Sequence, residues 1–186
     1  MIAVIDNYLP TELFQALNAK MLKRFKPAPV PEWDVFNEWS MRLTAHSIYN
    51  NNTAWSKILL GPMIPEIVSR TINLLANQYN CVNPQVWSTW YQYTGLAQNP
   101  MPKHRDKPIH SKKLEITFTS LLYAHNEWHD DWGGELCFDN TEILPKSNRL
   151  VIYSRDLEHW VNPIKHNNYD YQRMVFGMSW STDNDF

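Results

Sequence analysis

The sequence has little cysteine, little net charge and no long apolar run, and each shortage excludes a class of protein. Its two cysteines, Cys81 and Cys137, are too few and too isolated for a disulfide framework or a cysteine-based zinc site. A formal net charge of −2 gives no general attraction to nucleic acid or anionic membranes. No apolar run approaches the roughly 18 residues that span a bilayer. The opening "MIAVIDNYLP" has no basic n-region and does not resemble a signal peptide, so we expect a cytoplasmic protein.

What is present is enough for one folded domain. The chain has 186 residues, of which 44% are hydrophobic, and this is sufficient to form a core. Apolar positions at Leu13, Phe14, Leu17 and Met21 predict a helix with Pro10 in its first turn. A stripe with the same 3-4 spacing predicts a second helix over residues 64–79.

The period changes in the second half of the chain. Five β-rich runs, separated by turn residues, cover 86–93, 114–123, 134–138, 149–153 and 173–180. No helix-length segment separates them, so parallel βαβ winding is excluded. The pattern predicts a mainly β protein, in which N-terminal helices support an antiparallel sheet or barrel.

Two His-x-Asp pairs are candidate metal ligands, His104 with Asp106 and His129 with Asp131. Residues i and i+2 of an extended chain point to the same side, so either pair can present two ligands together. His159 follows a predicted strand and is the natural third ligand. Two histidines and one carboxylate form the facial triad of iron enzymes, which leaves other metal positions open. A single pair of this kind is more often a solvated loop.

Spacing distinguishes the two pairs. Asp106 precedes His159 by 53 positions, which leaves room for several strands, whereas Asp131 precedes it by 28. His129 also lies in "NEWHDDWGGE", a polar stretch typical of a hairpin connection. We therefore expect His104, Asp106 and His159 at the metal, and His129 and Asp131 in a loop.

One arginine supports a specific kind of site. Arg173 begins the otherwise apolar run "RMVFGMSW", 14 positions beyond His159. A buried arginine is costly unless it meets an anion, and its planar fork suits a carboxylate. The alternative is an arginine on an edge strand, in a surface ion pair.

Three stretches together resemble one family. They are "YTGLAQNPMPKHRD", "LLYAHNEWHDDWGGELCF" and "NRLVIYSRDLEHWVNPI". They are similar to three motifs of iron(II)- and 2-oxoglutarate-dependent dioxygenases. The first stretch resembles the family's Tyr-x-Gly strand end that leads into His-x-Asp, and the second resembles its Tyr-Leu-Asn and Trp-Gly-Gly-Glu-Leu hairpin. The third follows its pattern of Gly-Arg-Leu-Val-x-Phe and His-x-Val-x-Pro-Val. The resemblance is to the prolyl 4-hydroxylase type, in its compact bacterial or viral form.

The resemblance implies a double-stranded β-helix (jelly roll) in a single domain over 1–186, with helical support over about 1–85 and the core over about 86–181. It implies that Fe(II) binds His104, Asp106 and His159, and that 2-oxoglutarate binds Arg173 with Tyr93 and Tyr123 in its pocket. Tyr91, on the same strand face as Tyr93, is a weaker candidate. The implied reaction uses O₂ and hydroxylates an unactivated C–H of a prolyl or other protein side chain, while 2-oxoglutarate becomes succinate.

Other functions and departures from the family stay open at this stage. The substrate could be a free amino acid or small metabolite, the triad could serve a zinc hydrolase, or the fold could bind a partner without catalysis. Neither a nucleic-acid nor a membrane partner is expected, and the oligomeric state is open. His125 and His129 have the i,i+4 spacing of helical zinc ligands, but the flanking turn residues favour a solvated loop. The His159–Arg173 gap is about four residues longer than the family's usual gap, and Lys112 and Lys113 stand where the family often has an arginine.

Overall fold

The computed structural model describes residues 1–24, 43–45, 63–94, 101–106, 116–166, 171 and 173–182. Within these ranges the helices are α1 (Thr11–Arg24) and α2 (Met63–Gln78), with one short 3-10 helix at Asp130–Trp132. The strands are β1 (Ile2–Ile5), β2 (Leu43–Ala45), β3 (Gln85–Thr94), β4 (Met101–His104), β5 (Ile116–Tyr123), β6 (Leu136–Phe138), β7 (Thr141–Ile143), β8 (Leu150–Ser154), β9 (His159–Val161) and β10 (Arg173–Ser181).

The strands form two antiparallel sheets. The larger sheet has six strands in the order β1-β8-β5-β10-β3-β2, and the smaller has four in the order β4-β9-β6-β7. From β3 to β6 and from β7 to β10, strands that are consecutive in the chain lie in different sheets, so the chain winds from one sheet to the other. This is the double-stranded β-helix that was predicted, and it places β4 beside β9.

Alternation along the strands of the larger sheet divides the core in two. On β8, Leu150 and Ile152 are buried against the helices, whereas Val151 and Tyr153 pack in a second cluster with residues of the smaller sheet such as Phe138. Successive side chains of a strand point to opposite faces, and this gives three layers: helices, larger sheet, smaller sheet. The candidate site lies between the two sheets.

The helices cover the outer face of the larger sheet. In α2 the buried positions Ile67, Thr71 and Leu75 recur every four residues, and α2 begins and ends one residue before the predicted range. Pro10 was predicted to lie in the first turn of α1, but it lies just before the helix. Its carbonyl accepts a hydrogen bond from the N–H of Phe14 and so caps the first turn. Neither of these two helices has the length and apolar character needed to cross a bilayer. The cytoplasmic location and the single domain over the whole chain stay predictions.

Candidate metal centre

Three of the predicted ligands converge where the smaller sheet begins. His104 is the last residue of β4 and lies opposite His159, the first residue of β9. Asp106 lies two positions after His104 in the chain. Asp106 Oδ1 lies 4.0 Å from His104 Nε2 and 3.9 Å from His159 Nε2. One ligand atom from each of the three residues lies within 4.8 Å of the other two. This is the only such group of potential metal ligands in the described ranges.

Hydrogen bonds fix which nitrogen of each histidine faces the group. His104 Nδ1 lies 2.8 Å from the carbonyl of Pro102, and His159 Nδ1 lies 2.9 Å from the carbonyl of Leu157. A carbonyl only accepts, so each Nδ1 carries the proton and donates. Both Nε2 atoms therefore direct a lone pair towards Asp106, as a metal requires.

The second carboxylate oxygen of Asp106, Oδ2, contacts residues of the larger sheet and its flank. Thr119, on β5, donates to Asp106 Oδ2 at 2.9 Å. The Arg155 guanidinium lies 3.9 Å from the same oxygen, an ion-pair distance. Oδ1 is thus the oxygen that faces the two histidines.

The electrostatics suit a divalent cation. Burial lowers the pKa of His159, so its imidazole is neutral at pH 7. The side chains of His104 and Asp106 are 29% and 23% exposed, so one side of the group is open to solvent. Two imidazole nitrogens and one carboxylate oxygen match the donor set of non-haem iron sites, and the residues therefore fit Fe(II).

Arg173 lies deep between the sheets with neutral partners. It is 1% exposed, its Nε donates to the Gly134 carbonyl at 3.0 Å, and its Nη2 donates to the Tyr123 hydroxyl at 3.2 Å. Among the residues that the structure describes, no carboxylate pairs with it. A buried guanidinium in this state can accept an anionic ligand.

The two predicted tyrosines differ in what can be said of them. Tyr123 is fully buried, and burial raises its pKa, so its hydroxyl keeps its proton. It lies on the same face of β5 as Thr119, four positions away, which is about 13 Å along a strand. Tyr93 lies on β3 opposite Met174, and its side chain, like that of Tyr91, is outside the described residues.

Gly134 permits the close approach of Arg173. Its φ is +74°, a region that favours glycine, and an added Cβ would lie 3.2 Å from the Trp128 ring and 3.3 Å from Arg173 Cδ. The Gly-Gly turn of the hairpin motif therefore has a physical purpose here, because it lets the Gly134 carbonyl reach the arginine.

The other histidines lie apart from this group. His129 has a 52% exposed side chain and pairs with Glu127 at 2.8 Å, and Asp131 is exposed. The expectation of a solvated loop was wrong for His125, which is 3% exposed. Its ring donates to the Pro145 carbonyl and accepts the Met174 N–H, and burial lowers its pKa to about 4, so it is a neutral core residue.

Four residues around the triad were not found from the sequence: Thr119, Tyr153, Arg155 and Ser179. The Tyr153 hydroxyl lies 3.4 Å from His159 Nε2, and Arg155 Nη1 lies 3.2 Å from Ser179 Oγ. A signal existed only for Tyr153, since it replaces the phenylalanine of the Gly-Arg-Leu-Val-x-Phe pattern. The others become neighbours only through the register that places Thr119 opposite both Tyr153 and Ser179.

Comparisons with known proteins agree with this geometry. The family described as the 2OG-Fe(II) oxygenase superfamily matches residues 89–180. A search of curated protein sequences finds no match. Among solved structures, the viral collagen prolyl hydroxylase of Paramecium Bursaria Chlorella virus-1, in its 2OG complex, has a TM-score of 0.66 at 16% identity over 98% of this chain and 96% of that one.

Two further solved structures have the same fold. A prolyl hydroxylase from Trichoplax adhaerens, in complex with a hypoxia inducible factor peptide fragment, has a TM-score of 0.62 at 17% identity, covering 98% of this chain and 83% of that one. HygX from Streptomyces hygroscopicus, with nickel and 2-oxoglutarate bound, has a TM-score of 0.62 at 11% identity with the same coverage.

Proposed function

We propose that the chain, whose residues 89–180 match the 2OG-Fe(II) oxygenase superfamily, hydroxylates an unactivated C–H bond of a prolyl or other protein side chain. We further propose that 2-oxoglutarate is converted to succinate in the same reaction. Fe(II) supplies the activation of O₂ when it is bound together with the keto acid. The protein's own residues bind and orient the reactants and exclude water.

His104, Asp106 and His159 are the residues that would hold the iron. One ligand atom of each residue lies within 4.8 Å of the other two, and hydrogen bonds of both Nδ1 atoms to backbone carbonyls hold the two rings before any metal binds. Such preorganisation limits the cost of ordering the ligands. The proposal for Tyr93 as part of the cosubstrate pocket rests on the family resemblance.

Buried Arg173 is the observation that carries the cosubstrate proposal. A guanidinium that is 1% exposed, and that is bonded to a carbonyl and a hydroxyl, favours a ligand with a carboxylate. The far carboxylate of 2-oxoglutarate supplies that charge, and Tyr123 adds a neutral hydroxyl beside it. A zinc hydrolase with the same triad gives this arginine no role.

A peptide substrate is supported by two of the similar structures. One is a viral collagen prolyl hydroxylase, and the other is a prolyl hydroxylase in complex with a peptide fragment. The exposed side of the triad gives a substrate of that size access to the metal, since His104 and Asp106 are partly open to solvent.

The test is a turnover assay with purified protein, Fe(II), 2-oxoglutarate and O₂. We expect slow succinate formation alone, and faster formation with a proline-rich peptide that gains the mass of one oxygen atom. The same peptide with alanine in place of proline is the matched control. Oxygen added to a free amino acid but to no peptide would move the substrate to the small-molecule class. Activity with Zn(II) alone, and none with Fe(II) and 2-oxoglutarate, would support the hydrolase instead.

A further inference from the structure

Asp106 is the one carboxylate of the candidate triad, and its second oxygen has partners of its own. Thr119 Oγ1 lies 2.9 Å from Oδ2, and Arg155 Nη1 lies 3.9 Å from it. By contrast, Oδ1 faces only the two histidine nitrogens among the contacts that the structure records for it. The two oxygens of one carboxylate therefore have different environments.

The direction of each hydrogen bond follows from the groups present. An ionised carboxylate only accepts, so Thr119 uses its single proton on Asp106. Its oxygen can then accept from Arg155 Nη1 at 3.5 Å. Arg155 thus acts on Asp106 twice, directly by charge and through the hydroxyl of Thr119.

Arg155 is itself fixed by the larger sheet. Its backbone N–H donates to the Thr117 carbonyl at 3.1 Å, and its Nη1 lies 3.2 Å from Ser179 Oγ. Thr119 and Ser179 are opposite each other across β5 and β10. With its side chain 12% exposed, the guanidinium contacts side chains of β5 and β10 and is largely shielded from solvent.

We propose that Arg155 is a positioning residue that, together with Thr119, leaves only Oδ1 of Asp106 free to bind a metal. The proposal rests on the proposed function, since it takes Asp106 as a ligand. A carboxylate can bind a cation through one oxygen or through both. If Oδ2 also bound, it would occupy a position that the facial triad leaves open for the keto acid and O₂. Arg155 and Thr119 prevent this by occupying Oδ2.

The proposal predicts effects of opposite sign on two ligands. In Thr119→Val, which changes no charge, and in Arg155→Met, Oδ2 becomes available to the metal. Mn(II) should then bind at least as tightly as in the wild type. The affinity of the Mn(II)-loaded protein for 2-oxoglutarate should fall about tenfold. A purely structural role would weaken both ligands together.

Isothermal titration of Mn(II), and then of 2-oxoglutarate into metal-saturated protein, measures both effects without turnover. Arg149→Met is the matched control, because Arg149 flanks the other end of β8, is similarly buried with 11% of its side chain exposed, and pairs with Asp6 away from the triad. It should leave both affinities within about twofold. Arg155→Lys separates charge from geometry, since an ammonium keeps the charge but lacks the planar fork. It should restore only part of the loss.

Several results would overturn the proposal. In folded Thr119→Val protein, 2-oxoglutarate affinity within threefold of wild type would show that Oδ2 does not compete for its position. A parallel loss of more than threefold in Mn(II) affinity would show that Thr119 and Arg155 merely support the fold. Failure of the wild-type protein to bind Mn(II) or 2-oxoglutarate would refute the proposed function itself. This outcome differs from failure of the Arg155 proposal, because it is seen in the wild-type protein without any variant.

Discussion

The space between the sheets has two ends of opposite character. At the metal end, His104, Asp106 and His159 present lone pairs and a negative charge, and the group is partly open to solvent. At the arginine end, Arg173 and Tyr123 present a positive charge and a hydroxyl that are almost fully buried. A site with an exposed anionic end and a closed cationic end is complementary to a cation that arrives with an elongated dianion. The difference also indicates which end would admit a substrate, since His104 and Asp106 reach solvent whereas Arg173 and Tyr123 do not.

The burial difference has an energetic consequence. An isolated charge in a protein interior costs several kcal/mol unless it is paired, whereas partly exposed groups are compensated by water. No carboxylate among the described residues pairs with Arg173, so we expect the arginine end to be destabilising until an anion binds. The partly exposed metal end should carry a smaller cost. Binding of an anion at the arginine end should accordingly stabilise the fold more than binding of a metal at the partly exposed metal end.

The largest expected effect is at the metal end. His104→Ala removes one of three protein ligands, and metal affinity should fall by more than the roughly 10–100-fold seen when an outer partner of a ligand is lost. The anaerobic Fe(II) and 2-oxoglutarate complex should lose its visible absorption band. His129→Ala is the matched control, because this exposed histidine belongs to the other His-x-Asp pair. If His129→Ala abolished the band and His104→Ala preserved it, the choice between the two pairs would be wrong.

The next effect is at the arginine end and has two parts. Arg173→Met should weaken 2-oxoglutarate by roughly two to three orders of magnitude, because losing one partner of a buried ion pair costs about 3–5 kcal/mol. Without 2-oxoglutarate, the variant should unfold at the same temperature as the wild type or higher, because it no longer buries a charge that no carboxylate of the described residues pairs. Titration into Mn(II)-loaded protein and thermal unfolding of the metal-free protein measure the two parts. A lower unfolding temperature together with unchanged 2-oxoglutarate affinity would make Arg173 a structural residue.

How far the sequence predicted these two ends depends on the length of the elements that build them. The long strands β3, β5 and β10 and the helix α2 were located within about two residues, since each carries a full hydrophobic pattern. The short strands β4, β7 and β9 were not predicted, because three or four residues cannot display an alternation. Two of these short strands carry His104 and His159, so family resemblance and spacing located the metal end, and local pattern did not.

Apart from the weak signal at Tyr153, the neighbours of the triad could not be predicted, for a different physical reason. Thr119, Tyr153 and Ser179 lie 26 to 60 positions apart in the chain and meet only through strand register. A register shift of one residue would turn each of them to the other face of the sheet. His125 shows the converse error: its polar flanks favoured solvent, but its two ring nitrogens found backbone partners in the core.

The smallest expected effects come from a matched pair of tyrosines, one at each end. Tyr123→Phe removes the hydroxyl that Arg173 Nη2 contacts at 3.2 Å. A hydrogen bond to a charged group contributes about 1.5–3 kcal/mol, but the guanidinium keeps its pairing with the ligand, so we expect 2-oxoglutarate affinity to fall only about threefold to tenfold. Tyr153→Phe removes a hydroxyl 3.4 Å from His159 Nε2, which competes with a metal for that lone pair. Mn(II) should therefore bind about twofold to threefold more tightly, as expected for a weak neutral hydrogen bond. Each substitution should leave the ligand of the opposite end within about twofold when both are measured by titration. If Tyr123→Phe changed Mn(II) affinity as much as Tyr153→Phe does, the two ends would not be separate sites, and the division between them would fail.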